Sequence, residues 1–394
     1  MRSRPFVVLF IAVFVATMGI SMVSPLLPVY AEELGASGVW IGLTFSSFAI
    51  SQTLVSPFAG QWSDRYGRKP FIIAGLGFYV AASIGYLTAD TFVQVMAFRM
   101  LSGCGTSLIF SVARAYIGDM VPEGHEGRWF GLFATADIVG FGIGPLLAGA
   151  LREAFGFDAV FIGMGALMSG SALVVWLFLP PHPPEDRVSR LARPDLRFGV
   201  ALRDRLVVAL ALLMGLTSLS FGATLSFLGL RLDALGIGPL LIGLAFSIES
   251  LASGLSQPLF GHLVDRMDRR RLVVIGLGIS GGALIVLGLP LTYGTALALL
   301  FVLGVGQALT QVTASAMQVV AGRRVGMGTV IGIGSSGNGV GIVVGAVAGG
   351  VFADALGLSA PFYAGGIALC LAIVVVLLLL RGVPVTEAEL RAGG

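Results

Sequence analysis

A helix that crosses the hydrocarbon of a bilayer needs about 20 consecutive apolar residues, and this chain offers twelve such stretches separated by short polar breaks. They lie near residues 6–31, 38–61, 70–88, 92–117, 130–153 and 158–179, then 206–230, 239–262, 272–289, 295–321, 329–353 and 360–380. Only 11% of the residues are charged, against about 25% in an ordinary soluble domain. Backbone polar groups in lipid must be satisfied within their own segment, so the expected fold is an all-α integral membrane protein with twelve transmembrane helices. The first stretch follows Arg2 and Arg4 as a signal peptide would, but it is too long and ends without a small-residue cleavage site. It reads as a retained helix.

Basic residues orient such a chain, because Lys and Arg collect in cytoplasmic loops. With the N-terminus inside, all of the 24 Lys and Arg except Arg99, Arg152 and Arg231 fall in or beside cytoplasmic segments. The expectation is a multi-pass protein of the plasma (inner) membrane with both termini cytoplasmic. The net charge of +3 then reflects topology, and no nucleic-acid partner is implied. Cys104 and Cys370 both sit in apolar stretches, which argues for packing and against a disulfide framework.

A gap-free shift of the sequence by 201 residues aligns the chain with itself. Leu34-Gly35 falls on Leu235-Gly236, Pro57 on Pro258, Asp64-Arg65 on Asp265-Arg266 and Arg68 on Arg269; Gly131, Gly140, Gly144 and Gly149 fall on Gly332, Gly341, Gly345 and Gly350. A fixed offset over more than a hundred residues marks a duplication. Each half holds six spans, so the halves are parallel repeats, the arrangement in which substrate binds near midplane between them. The organisation expected is a bundle over 1–180, a Pro-rich charged cytoplasmic linker over 181–205, and a second bundle with a short tail over 206–394.

After the second stretch comes Gly60-Gln61-Trp62-Ser63-Asp64-Arg65-Tyr66-Gly67-Arg68-Lys69-Pro70. Gly67 permits a tight turn, and Pro70 suits the first turn of a helix. The fifth stretch carries Gly131, Gly140, Gly144-Pro145 and Gly149; small residues four apart let backbones approach, and the proline removes a helical hydrogen bond. The first stretch has Gly19 and Pro25-Leu26-Leu27-Pro28, the fourth Arg99 and Gly103-Cys104-Gly105. In these segments the chain resembles the major facilitator superfamily, in its twelve-helix drug:proton antiporter branch. Trp62 stands where the loop pattern prefers Leu, and Ala148 where the fifth-helix pattern has Gly. The resemblance implies that Gly60, Asp64, Arg65, Gly67 and Arg68 form a conformational latch, with Arg68 paired to Asp119. It further implies that Gly140, Gly144, Pro145 and Gly149 form the motif that marks efflux members, and that Arg99 is the family's buried arginine. Positive-inside topology and generic small-residue packing account for the same residues without any transport role.

Charges within the apolar stretches are the other pointer, since a charge at midplane costs at least about 2.5 kcal/mol and must face a cavity or a partner. A rise of 1.5 Å per residue puts Glu249 roughly 15 Å from the outer surface. It is the first candidate to take up and release a proton, with a static hydrogen bond to a neighbouring helix as the alternative. Asp137 is the second; the repeat pairs it with Asn338, and it could equally gate or pair with Arg114. Arg99 would tune these acids. Gln52, Gln307 and Gln311, with Asn338, are candidates for a substrate cavity; the spacing of 307 and 311 puts both on one helix face, and amides also glue helices together.

His125, His182 and His262 all fall at the cytoplasmic side, so imidazole is not expected to supply a metal site in the transport path. No phosphate-cradling loop is present, so ATP is not the expected energy source, and no nucleophile with a base suggests an enzyme. No cofactor is expected. The partners expected are a small-molecule substrate, protons and membrane lipid, with the protein a monomer. The function expected is proton-coupled export of a small amphipathic compound by alternating access, or else symport or facilitated uptake of a sugar, organic acid or similar metabolite on the same fold.

Overall fold

A computed structural model describes residues 4–120, 126–180, 203–383 and 385. All regular structure among them is helical: α1 (Arg4–Val23), α2 (Leu27–Glu33), α3 (Gly38–Tyr66), α4 (Arg68–Leu87), α5 (Phe92–Met120), α6 (Glu126–Phe155), α7 (Phe157–Phe178), α8 (Arg205–Ala234), α9 (Pro239–Arg266), α10 (Arg269–Leu287), α11 (Tyr293–Val325), α12 (Met327–Leu356) and α13 (Ala360–Leu379). Taking α1 and α2 together, twelve of these are long and apolar enough to cross a membrane. Side chains such as Leu54, Ile84, Leu255 and Leu378 are more than half exposed, and apolar surface of this kind is the mark of membrane or ligand contact.

The first apolar stretch is not one continuous helix, and this corrects the sequence expectation. Pro25 has no N–H and its ring crowds the carbonyl four residues back, so α1 stops at Val23; Pro28 then sits in the first turn of α2, where no donor is needed. Helices elsewhere run past the apolar stretches, as in α11, which is 33 residues long.

Clustering of the backbone gives two compact units, one of Met1–Leu191 with Leu228–Ser247, the other of Ala192–Phe227 with Ile248–Gly394. Within the first, α4 packs on α5 and α7; within the second, α10 packs on α11 and α13. These contacts carry the duplication down to single residues. A methyl built on Gly75 would come within 2.8 Å of the Gly105 carbonyl oxygen, and one built on Gly276 within 3.0 Å of the Gly306 carbonyl oxygen. Gly103 likewise abuts the carbonyl of Phe48, and Gly304 that of Glu249. All four pairs match at the 201-residue offset. Close backbone approach at small residues is the main way helices associate where lipid removes the hydrophobic drive.

Candidate functional site

In the second unit Gly304 lets α11 lie directly against α9 at Glu249. One turn further along α11, the Gln307 side chain lies beside the Glu249 carboxyl, near enough to act on it. Glu249 is 7% exposed, and the polar side chain beside it is an amide. Beyond Gln307 the helices part around a cavity of about 300 Å³, lined from α8, α9, α10, α11, α12 and α13. Gln307, Gln311 and Asn338, three of the four amides expected to line a cavity, do line this one. Gln52 is not among its lining residues. It belongs to α3 in the first unit, where its backbone carbonyl accepts from the Ser107 hydroxyl (2.7 Å).

The cavity wall also includes groups that sequence reading missed. Ser220 and Ser280 line it, are 3% and 2% exposed, and have side-chain oxygens without a hydrogen-bond partner. Thr310, by contrast, donates to its own helix at Gly306 O (3.0 Å). A signal for Ser280 was available in the repeat. It stands at the position of Tyr79, and Gln307 at that of Thr106. In the first unit the Tyr79 and Thr106 hydroxyls are hydrogen-bonded at 2.5 Å and the tyrosine ring is 1% exposed. The second unit has replaced a large aromatic by a hydroxymethyl and left room.

The first unit holds the other two charged candidates apart from each other. Asp137 on α6 accepts from the Thr17 hydroxyl of α1 (3.0 Å), with the Arg114 guanidinium at 3.9 Å. Arg99 on α5 is 3% exposed. Its guanidinium lies over Phe48 and Phe45, 4.4 and 5.2 Å from the ring centroids. It donates to Ser24 Oγ (3.0 Å) at the α1 break and lies near the Tyr86 hydroxyl. A cation at the C-terminal end of α1 is favoured by the helix dipole, and rings can partly replace the lost hydration.

At the α3–α4 junction Gly67 adopts φ 95°, ψ 150°, a region open almost only to glycine. Arg68 folds back onto Asp64 (2.6 Å) and donates to Ser63 Oγ (2.8 Å); Arg65 is exposed. The side chain of Asp119 lies outside the described residues, as does nearly all of the 181–205 segment. In α6, Gly140 and Gly144 meet α1 at Phe14, Thr17 and Met18, and Gly341 and Gly345 meet α8 at the offset positions Gly215, Ser218 and Leu219. These glycines therefore do the same packing work in both halves. Pro145 and Gly149 lie against the start of α9, where Gly149 faces Pro239 and the Pro145 carbonyl faces Gly243. Nearby, Arg152 bridges Glu33 and Asp233 at 3.4 and 3.3 Å and stacks on Phe157.

Two-unit helical architecture, an interior acid and a polar cavity together describe a carrier, and comparison with known proteins agrees. The sequence profile of the Major Facilitator Superfamily matches residues 9–230 and again residues 210–393. An uncharacterised MFS-type transporter of Methanocaldococcus jannaschii is 26% identical, covering 89% of this chain and 92% of its own length. Multidrug resistance protein MdtG of Proteus mirabilis is 29% identical over 74% of each chain, and multidrug resistance protein 1 of Bacillus subtilis 34% identical over 44% of this chain and 45% of its own. The crystal structure of a bacterial homologue of the human lysosomal transporter Spinster superposes with a TM-score of 0.79 at 16% identity, covering 97% of this chain and 98% of that one, which is a likeness of fold. The chain is a membrane-embedded transporter of the Major Facilitator Superfamily.

Proposed function

We propose that this transporter exports a small amphipathic compound in exchange for protons by alternating access, with Glu249 as the principal proton site, Asp137 as a second and Arg99 tuning them. The observation that carries the reading is Glu249 itself, an acid buried in a helix bundle, with the Gln307 side chain beside it and also lining a ligand-sized cavity. A buried carboxyl beside no cation is stable when neutral, so a change of surroundings during transport can load or release its proton. Export is supported by relatives named for multidrug resistance and by Pro145, which the second half replaces with Ala346.

In this reading Gly60, Asp64, Arg65, Gly67, Arg68 and Asp119 form the latch. Bundles of 1–180 and 206–394 are joined by a linker of 181–205, and both termini face the cytoplasm across the plasma membrane. The uncharged lining of the second-unit cavity favours a second reading, symport or facilitated uptake of a sugar-like metabolite.

Purified protein in liposomes with a pH dye and an acid-inside gradient decides between them. Drug-like neutral compounds, lipophilic cations and sugars are added in turn, to wild type, Glu249→Gln and Asp137→Asn. The expected result is proton release driven by a drug-like compound and lost in Glu249→Gln. Movement of a sugar without counterflow of protons would overturn export.

A further inference from the structure

We infer that the cavity of the second unit is a binding site for an uncharged ligand group bearing both hydrogen-bond donors and acceptors, a hydroxyl or amide on an apolar frame, and that Gln307 reports the protonation of Glu249 to that ligand.

The ligand class follows from the walls. None of the lining residues is charged, and burying an ion without a counter-charge costs several kcal/mol, so a cationic or anionic group is disfavoured there. Ser220 and Ser280 are buried and uncommitted, and a buried hydroxyl left unpaired is costly. A ligand hydroxyl or amide toward which either side chain rotates would give that serine a partner. Leu213, Phe221, Leu277, Ile342 and Leu369 supply the apolar remainder. A volume of about 300 Å³ stands at the small end of the roughly 300–1,000 Å³ typical of ligand sites. The first unit provides the contrast: it fills the matching place with Tyr79 and closes it onto Thr106.

The second part rests on the proton-coupled reading above and on the chemistry of a primary amide. Gln307 lies beside Glu249 and also lines the cavity, so its amide can reach both. An ionised Glu249 only accepts, so Gln307 must turn its NH2 to the acid and its carbonyl to the cavity. Once protonated, Glu249 donates to the Gln307 carbonyl, and the amide turned by half a revolution offers NH2 to the cavity instead. The same wall thus changes from acceptor to donor with one proton, and ligand and proton are coupled through a single side chain. Gln307 acts here as a positioning residue, one that sets which hydrogen-bonding group faces the ligand.

The test uses full-length protein in nanodiscs and radiolabelled chloramphenicol, an uncharged probe with two hydroxyls and one amide, with tetraphenylphosphonium as a cation lacking hydrogen-bonding groups. Saturable binding is expected, with the cation displacing the probe at least tenfold less effectively. Ser280→Tyr with Gln307→Thr copies the filled first unit and should abolish binding; Ser220→Ala with Ser280→Ala, which removes two hydrogen bonds and no bulk, should weaken it about tenfold. Absence of saturable binding, equal displacement by the cation, or wild-type affinity in both paired variants overturns the site.

Protons released per bound probe at saturation, read with a pH dye in weak buffer, test the relay. In Gln307→Met this ratio should fall to zero whatever the affinity; a wild-type ratio overturns the relay. Glu249→Gln separates the two failures, because release that persists there refutes the proton site itself, whereas release lost there and kept in Gln307→Met refutes the relay alone.

Discussion

Two glycines in α4, two residues apart, should respond in opposite ways to the same substitution. A methyl at Gly75 would meet the Gly105 carbonyl oxygen at 2.8 Å and Ile109 and Leu108 side-chain carbons at 2.9 Å, whereas one at Gly77 meets nothing within 4 Å. The first obstacle is backbone and cannot rotate away, so Gly75→Ala must push α5 from α4. Overpacking of this kind costs about 1–3 kcal/mol. Gly77→Ala meets no obstacle and gains the helix preference of alanine over glycine, about 1 kcal/mol. The two variants should therefore differ by about 2–4 kcal/mol in unfolding free energy, measured by SDS titration in mixed micelles with far-UV circular dichroism. The repeat supplies an internal replicate: Gly276→Ala, against the Gly306 carbonyl at 3.0 Å, should resemble Gly75→Ala, and Gly278→Ala should resemble Gly77→Ala. Equal effects at 75 and 77 would refute the reasoning, since propensity alone treats them identically.

Gly67→Ala should cost about 1–3 kcal/mol in the same titration, because φ 95°, ψ 150° is strained for any side chain; no loss would mean the junction relaxes. At the matching position Asp268 has φ −61° and caps α10 by accepting from Arg270 N (2.9 Å), so Asp268→Ala should lose about 1 kcal/mol of capping instead. Arg152→Gln removes two ion pairs, but Glu33 and Asp233 are exposed enough to rehydrate, and a loss of only about 1 kcal/mol is expected; a loss of 4 or more on the same scale would show a stronger lock. Arg99→Lys keeps the charge and loses the flat fork over Phe48 and Phe45; stability should fall by about 1–2 kcal/mol, and an unchanged midpoint would show that the stack carries no weight.

Hydropathy made the spans legible because lipid enforces it residue by residue, and the repeat was legible because its Gly and Arg positions recur at one fixed offset. The break at Pro25 lies in the motif Pro25-Leu26-Leu27-Pro28, but apolarity continues through it and hides the interruption. Helical rise placed Glu249 in the interior, where it is buried, but could not name Gln307 as its partner from a list of amides. Asp137 and Arg114 are 23 residues and a helix apart in sequence, and only the packing of α5 and α6 decides that they meet. Ser220 and Ser280 were missed for a plainer reason. Serines are common in membrane helices and usually bond their own backbone, as Ser226 does to Gly222 O (2.8 Å), so an uncommitted one has no local signature.

The pairing of Tyr79 with Ser280 across the repeat has one more implication. The glycine seams that hold neighbouring helices together are shared by both halves, while the aromatic that fills one bundle is absent from the other. Recognition can then diverge by exchanging side chains on an unaltered scaffold, each half keeping a record of what the other could become; the unfilled copy shows how much room a single tyrosine occupies, and the filled copy shows that the scaffold never needed the void.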